Sequence, residues 1–217
     1  MTEIKQTPSP NFSDRTMDAI GFCIHGTTGS YESAINWLCT PPEKRPVMSY
    51  SSAHYVIAKD GRCTQLVSES KESWHAGNIS NPTERAKKLL PIKDGKYLNP
   101  NKTLIGIELE WFVGDFITES QYKVIIDIIK KSTIKNPIIL CHKEITDYKS
   151  DFPNSEEVVA NITRRLNLLN AIQTAPLTDK ITPLLTKLNT QVANKDYKGA
   201  RDTTSYLFTE FSKLSKI

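Results

Sequence analysis

The chain holds four histidines, His25, His54, His75 and His142. Two of them close short apolar runs, His25 after Ala19 to Ile24 and His142 after Pro137 to Cys141. Such runs, bounded by glycine or proline, read as buried strands. Active-site ligands in α/β sheets tend to come from strand ends. A lone histidine at such a place is more often structural. Two of them, with Asp151 shortly after the second, shift the balance toward a metal. Two imidazoles and one carboxylate make a three-ligand zinc set that leaves a fourth position for water. Glu108 is the next piece. Within Leu104 to Trp111, alternation puts Gly106, Glu108 and Glu110 on one face and Ile107 and Leu109 on the other. That face is either simply solvated, or it turns Glu108 toward the metal as a general base.

These residues fall in an ordered series: Ile24-His25-Gly26-Thr27, Ser52-Ala53-His54-Tyr55, Trp74-His75-Ala76-Gly77, Ile105-Gly106-Ile107-Glu108 and His142 to Lys149-Ser150-Asp151. The series resembles the zinc-dependent N-acetylmuramoyl-L-alanine amidases of type 2, related to muropeptide-recycling amidases, T7 lysozyme and peptidoglycan recognition proteins. The resemblance runs from about Cys23 to Pro153. It implies one Zn2+ held by His25, His142 and Asp151, with Glu108 as catalytic glutamate and Lys149 stabilising the oxyanion. It also implies substrate-binding positions at Trp74, His75 and Asn101, with His75 divided between substrate contact and a structural hydrogen bond. His54 is expected to be structural. The implied reaction is hydrolysis of the amide between N-acetylmuramic acid and L-alanine in peptidoglycan. The alternative is a module that binds peptidoglycan without cutting it. A glycan-cleaving enzyme would need two carboxylates across a sugar cleft, and Glu108 and Glu110 on one strand face do not straddle a substrate. The chain departs from the family pattern at Phe152-Pro153, where Pro-Gly is usual, and at Thr146-Asp147-Tyr148, where Pro-x-Arg is frequent.

The elements that must carry these residues alternate between strand and helix. This predicts an α/β fold with a mixed central sheet flanked by helices. The Asp60-Gly61 pair between Ser52 to Ala58 and Cys63 to Val67 signals a hairpin, so the sheet is not purely parallel. A helix is expected over 31–38, stopped by Pro41-Pro42. Another starts at a Thr118 to Gln121 capping box and runs through about Lys131, and a third spans about 155–169 with Asn154 as N-cap. Residues 78–101, with three prolines, read as an irregular loop. Residues 1–14 read as a flexible arm, 15–172 as the catalytic domain, and 176–217 as a C-terminal helical hairpin turning at Asn194-Lys195-Asp196.

Hydrophobic residues make up 38% of the 217, enough to bury a core, and the net charge is +4. That mild basic balance suits an anionic wall and falls short of a nucleic-acid binder, so peptidoglycan or muropeptides are the expected partners. The C-terminal stripes either pack on each other and on the catalytic domain or form a unit that binds cell wall or another protein. No segment is apolar enough to span a membrane, and residues 1–17 lack the apolar run of a signal peptide. The expected settings are therefore a phage lysin, a delivered effector or an enzyme of cytoplasmic muropeptides. The four cysteines lack metal-finger spacing, and Cys23 and Cys141 read as buried free thiols.

Overall fold

The computed structural model describes residues 2–149, 151–174, 186–191, 196, 198–200 and 202–205. The core of residues 1–165 is a six-stranded sheet. In chain order its strands are β1 (Ile4–Gln6), β3 (Gly21–Gly26), β4 (Tyr55–Ile57), β5 (Cys63–Gln65), β9 (Leu104–Leu109) and β10 (Ile138–Cys141). Two further pairs lie outside it, β2 (Phe12–Asp14) with β6 (Lys71–Ser73) and β7 (Ile92–Lys93) with β8 (Lys96–Tyr97). The helices are α1 (Tyr31–Cys39), α2 (Glu84–Leu89), α3 (Pro100–Thr103), α4 (Glu119–Lys131), α5 (His142–Ile145) and α6 (Ser155–Thr174).

The sheet order is β1-β5-β4-β9-β3-β10, with β4 and β5 antiparallel and the other neighbours parallel. The mixed sheet is the expected one, and the Asp60-Gly61 turn makes its antiparallel step, with Gly61 at φ +93°. Both faces are buried. On one, Cys23, Leu104 and Leu140 pack with Ala86 and Leu90 of the α2 region and Ile145 of α5, while Val56 packs with Tyr31 and Leu38 of α1. Alternation turns Phe22, Ile24, Ile105, Ile107 and Leu109 to the other face, all with no exposed surface. Each such side chain removed from water contributes about 1.5–3 kcal/mol before the entropy of ordering is subtracted.

Helix α4 starts at the expected capping box. Thr118 Oγ1 accepts from the Gln121 N–H, and the Gln121 side chain accepts from the Thr118 N–H. Gln121 Nε2 also donates to the Glu110 carbonyl at 2.9 Å, which fastens the helix start to the end of β9. Arg165 of α6 pairs with both carboxylate oxygens of Glu119 and lies over the Tyr122 ring.

Two expectations fail. Within the segment expected to be a free arm, residues 2–14 are held to the domain, since β1 extends the sheet beside β5 and β2 pairs with β6. The cause is side-chain anchoring. Asn11 donates to the Leu38 and Thr40 carbonyls, and Arg15 donates to the carbonyls of Glu69, Lys71 and Lys102. Residues 78–101 are not irregular either. Thr83 caps α2 through the Ala86 N–H, and Asp94-Gly95, both at positive φ, make the tight turn between β7 and β8.

Residues 166–217 form a second compact unit. Within it, residues 186–191, 198–200 and 202–205 are helical. The remainder of the expected hairpin, its turn at 194–195 included, lies outside the described residues.

Candidate metal centre

Three adjacent parallel strands deliver the central residues. In the register of β3 and β9, His25 sits directly opposite Glu108, so the two side chains share a face. In the register of β3 and β10, Ile24 faces Cys141, which brings His142 level with His25 at the next step. His142 opens α5, whose start is fixed by buried Glu144. That carboxylate accepts from the Cys141 N–H at 2.9 Å and pairs with Arg85 at 2.6 Å. Asp151 arrives on the loop after α5. That loop is held by Thr146 Oγ1, which donates to the Asn78 carbonyl, and by Asp147, which accepts from Ser80 and Asn81. After Asp151 comes Phe152, at φ +48°, its buried ring edge-on to Trp111 at 5.3 Å. Gly26 is required here, because a Cβ would lie 2.9 Å from the Trp111 ring.

His25, His142 and Asp151 thereby meet. The two Nδ1 atoms are 2.9 Å apart, and Asp151 Oδ2 is 3.9 Å from that of His25 and 3.7 Å from that of His142. The protons on the imidazoles can be assigned from their other nitrogens. His142 Nε2 faces the Ala76 carbonyl at 3.2 Å, and a carbonyl only accepts, so this nitrogen carries the proton. His75 Nε2 faces the Leu104 carbonyl at 3.2 Å and is protonated for the same reason. His75 Nδ1 is then an acceptor, and His25 Nε2, 3.0 Å away, donates to it. Both inward-facing Nδ1 atoms are left with bare lone pairs beside a carboxylate oxygen.

Three lone pairs converging without a proton repel one another, and a cation between them removes the repulsion. Ligand distances of about 2.1 Å at tetrahedral angles give edges of about 3.4 Å between ligand atoms. The observed triangle straddles that value. Burial pushes the His25 imidazole well below its usual pKa and that of His142 down to about 4, with the Lys149 charge adding to both. The rings are therefore neutral, the form that ligates. Burial also raises the Asp151 carboxyl, against the opposing pull of Lys149. Glu108, half-buried, is pushed up to about 8 by burial and by Asp151, and lowered in part by Lys149.

A second donor group shares His25. Cys23, His25 and His75 also bring ligand atoms within 4.8 Å of one another. Strand alternation puts Cys23 on the face of His25, a signal that the reading of Cys23 as a buried free thiol did not use. This group suits a cation less well, because burial pushes the Cys23 thiol well up, away from the thiolate a metal needs.

The remaining expected residues divide. Trp74 is half-buried, with Nε1 donating to Ser13 Oγ and its ring edge-on to exposed Tyr50 at 5.8 Å. His75, divided in expectation between substrate contact and a structural hydrogen bond, makes the hydrogen bonds, and Asn101, expected to bind substrate, turns its Oδ1 to the chain beside it. His75 has both ring nitrogens engaged, and Asn101 Oδ1 accepts from the His75 and Ala76 N–H groups at 2.9 and 2.7 Å. His54 is buried as expected. Its Nδ1 accepts from the Gly106 N–H and faces Ser73 Oγ, and its Nε2 donates to the Lys71 carbonyl. Glu110 accepts from the Lys59 N–H at the end of β4.

The sequence profile described as N-acetylmuramoyl-L-alanine amidase matches residues 15–155, which take in every residue of this centre. The chain belongs to the N-acetylmuramoyl-L-alanine amidase family. Among curated members, N-acetylmuramoyl-L-alanine amidase A of Achromobacter lyticus is 37% identical over 71 residues, 32% of this chain and 37% of that protein. The match thus spans little more than a third of that relative. A solved structure of a selenomethionine AmpD derivative superposes with a TM-score of 0.58 at 21% identity, over 76% of this chain and 95% of that one. Drosophila peptidoglycan recognition protein SD gives 0.53 at 14% identity, over 76% and 95%. These superpositions establish that the amidase-family fold is the one seen here.

Proposed function

We propose that the protein hydrolyses the amide joining the lactyl group of N-acetylmuramic acid to L-alanine in peptidoglycan, using one zinc ion held by His25, His142 and Asp151. The carrying observation is the convergence of two imidazole lone pairs and a carboxylate oxygen beside Glu108, inside a domain of the amidase family. Zinc, when bound, supplies a Lewis acid that polarises the carbonyl and acidifies water to a pKa of about 7. Glu108 takes a proton from the attacking water as the carbon–oxygen bond forms. It then returns that proton to the alanine nitrogen as the carbon–nitrogen bond breaks, leaving a lactyl carboxylate and a free amine. The Lys149 ammonium balances the negative charge that grows on the former carbonyl oxygen. A carboxyl raised to about 8 is suited to holding that proton between the two steps. A cation beside it would lower this value, so that the unprotonated form is available at neutral pH.

A module that binds peptidoglycan without cleavage has no need of this donor set with a raised carboxyl beside it. The metal reading is tested by composition and activity together. Purified protein is expected to carry about one zinc per chain. It should lose activity on wall fragments with chelator and recover on adding zinc. His142→Ala should lose both metal and turnover. Full activity in metal-free protein would overturn the proposal.

A further inference from the structure

The structural hydrogen bond expected as one alternative for His75 is part of a larger arrangement that includes Ala76 and Asn101. Both inward-facing imidazoles donate their outer N–H to one short stretch of chain, His75-Ala76. His25 donates to the His75 ring at 3.0 Å, and His142 donates to the Ala76 carbonyl at 3.2 Å. The stretch is itself clamped, because Asn101 Oδ1 accepts from the N–H of both residues. Asn101 is placed in turn by Asn99, whose side chain caps α3 through the Asn101 N–H at 2.9 Å. The His75 ring is held by further contacts. Its Nε2 is tied to the Leu104 carbonyl, and the ring lies against Gly106, where a Cβ would be 2.5 Å from Cγ.

We infer that His75 and Ala76, clamped by Asn101, form the outer shell that sets the tautomer and aim of both metal-binding imidazoles, and that His75 and Asn101 are positioning residues rather than substrate contacts. This rests on the zinc reading above. The usual outer partner of a metal-bound histidine is a carboxylate, a carbonyl or water. For His142 it is a carbonyl. For His25 it is a second imidazole, which accepts only because its own proton is committed to Leu104. Without that acceptor, the His25 proton is free to move to Nδ1 and block the ligand lone pair.

The test measures zinc affinity of the full chain by competition with a chromophoric chelator, with zinc alone as the probe. His75→Phe keeps an aromatic ring on Gly106 but removes the acceptor, and it should bind zinc about 10–100-fold more weakly. His75→Asn offers an amide oxygen near the position of Nδ1 and should recover most of the loss. Nitrogen-15 spectra of the metal-free protein should show the His25 proton on Nε2 in wild type and a redistribution toward Nδ1 in His75→Phe. Should His75→Phe fail to fold, Asn101→Leu against Asn101→Asp reads the same shell, since only aspartate keeps an oxygen to accept both N–H groups. Zinc affinity and His25 tautomer unchanged in His75→Phe, or in Asn101→Leu where that pair is used, would overturn this inference and leave the amidase reading intact. Failure of the wild type to bind zinc would overturn both. Loss of zinc in Cys23→Ser with retention in His142→Ala would put the ion on the other donor group and overturn both as well.

Discussion

His25 and Glu108 are neighbours across one strand pair, yet the protein sets them opposite tasks. Burial lowers the imidazole and raises the carboxyl, so at neutral pH one is a bare lone pair and the other a group able to hold a proton. Glu108→Gln keeps the shape and removes the exchangeable proton. The variant is expected to retain zinc and fold while turnover drops by about 10²–10⁴-fold. Glu110→Gln is the matched control on the same strand face. Its side chain accepts a main-chain N–H from Lys59, and an amide oxygen can still do so, leaving activity near wild type. Equal rates for Glu108→Gln and wild type, measured on soluble wall fragments, would remove Glu108 from the chemistry.

At the scale of elements, the centre follows from three parallel strands that end level with one another. Glycine has a definite part in this, because Gly106 leaves the surface of β9 bare for the His75 ring. Gly106→Ala places a methyl where the ring lies and should cost about 1–3 kcal/mol by overpacking. A urea midpoint equal to wild type would show that the ring has room to move. This scale also shows what was legible in the sequence. His25 and His142 stood out because each ended an apolar run, and Glu108 because strand alternation exposed it on its face. The inward turn of His75 was legible only as one of two alternatives, since its partners Leu104, Asn101 and Gly106 lie far along the chain and meet it only in the fold. The β7–β8 hairpin had a signal in Asp94-Gly95, but its two-residue strands are too short to show a period. The strands β1 and β2 were hidden by a Pro- and Ser-rich segment whose order comes from anchors such as Arg15 and Asn11.

For the whole molecule, the buried histidines set a dependence on acid. His54 is lowered to about 3 and His142 to about 4, with His25 and His75 also well below 6.5. Between pH 6.5 and about 4 the unfolded chain therefore binds up to four protons that the folded chain refuses, and stability falls as pH falls. Glu108 and Asp151 act with the opposite sign, because their raised values let the folded chain bind up to two protons first. The imidazoles outnumber them, and each net proton is worth about 1.4 kcal/mol per pH unit. Metal-free protein should accordingly have a lower urea midpoint at pH 5 than at pH 7. A midpoint that is flat or higher at pH 5 would mean that these rings are not neutral in the folded state.

The central claim is which bond is cut, and the most direct measurement is mass spectrometry of the ends released from purified sacculi by the zinc-loaded protein. The account predicts stem peptides with a free L-alanine amine, and glycan strands left uncut with bare lactyl carboxylates, both formed far more slowly with Glu108→Gln. New reducing sugar ends, new ends within the peptide, or no new ends at all would contradict it.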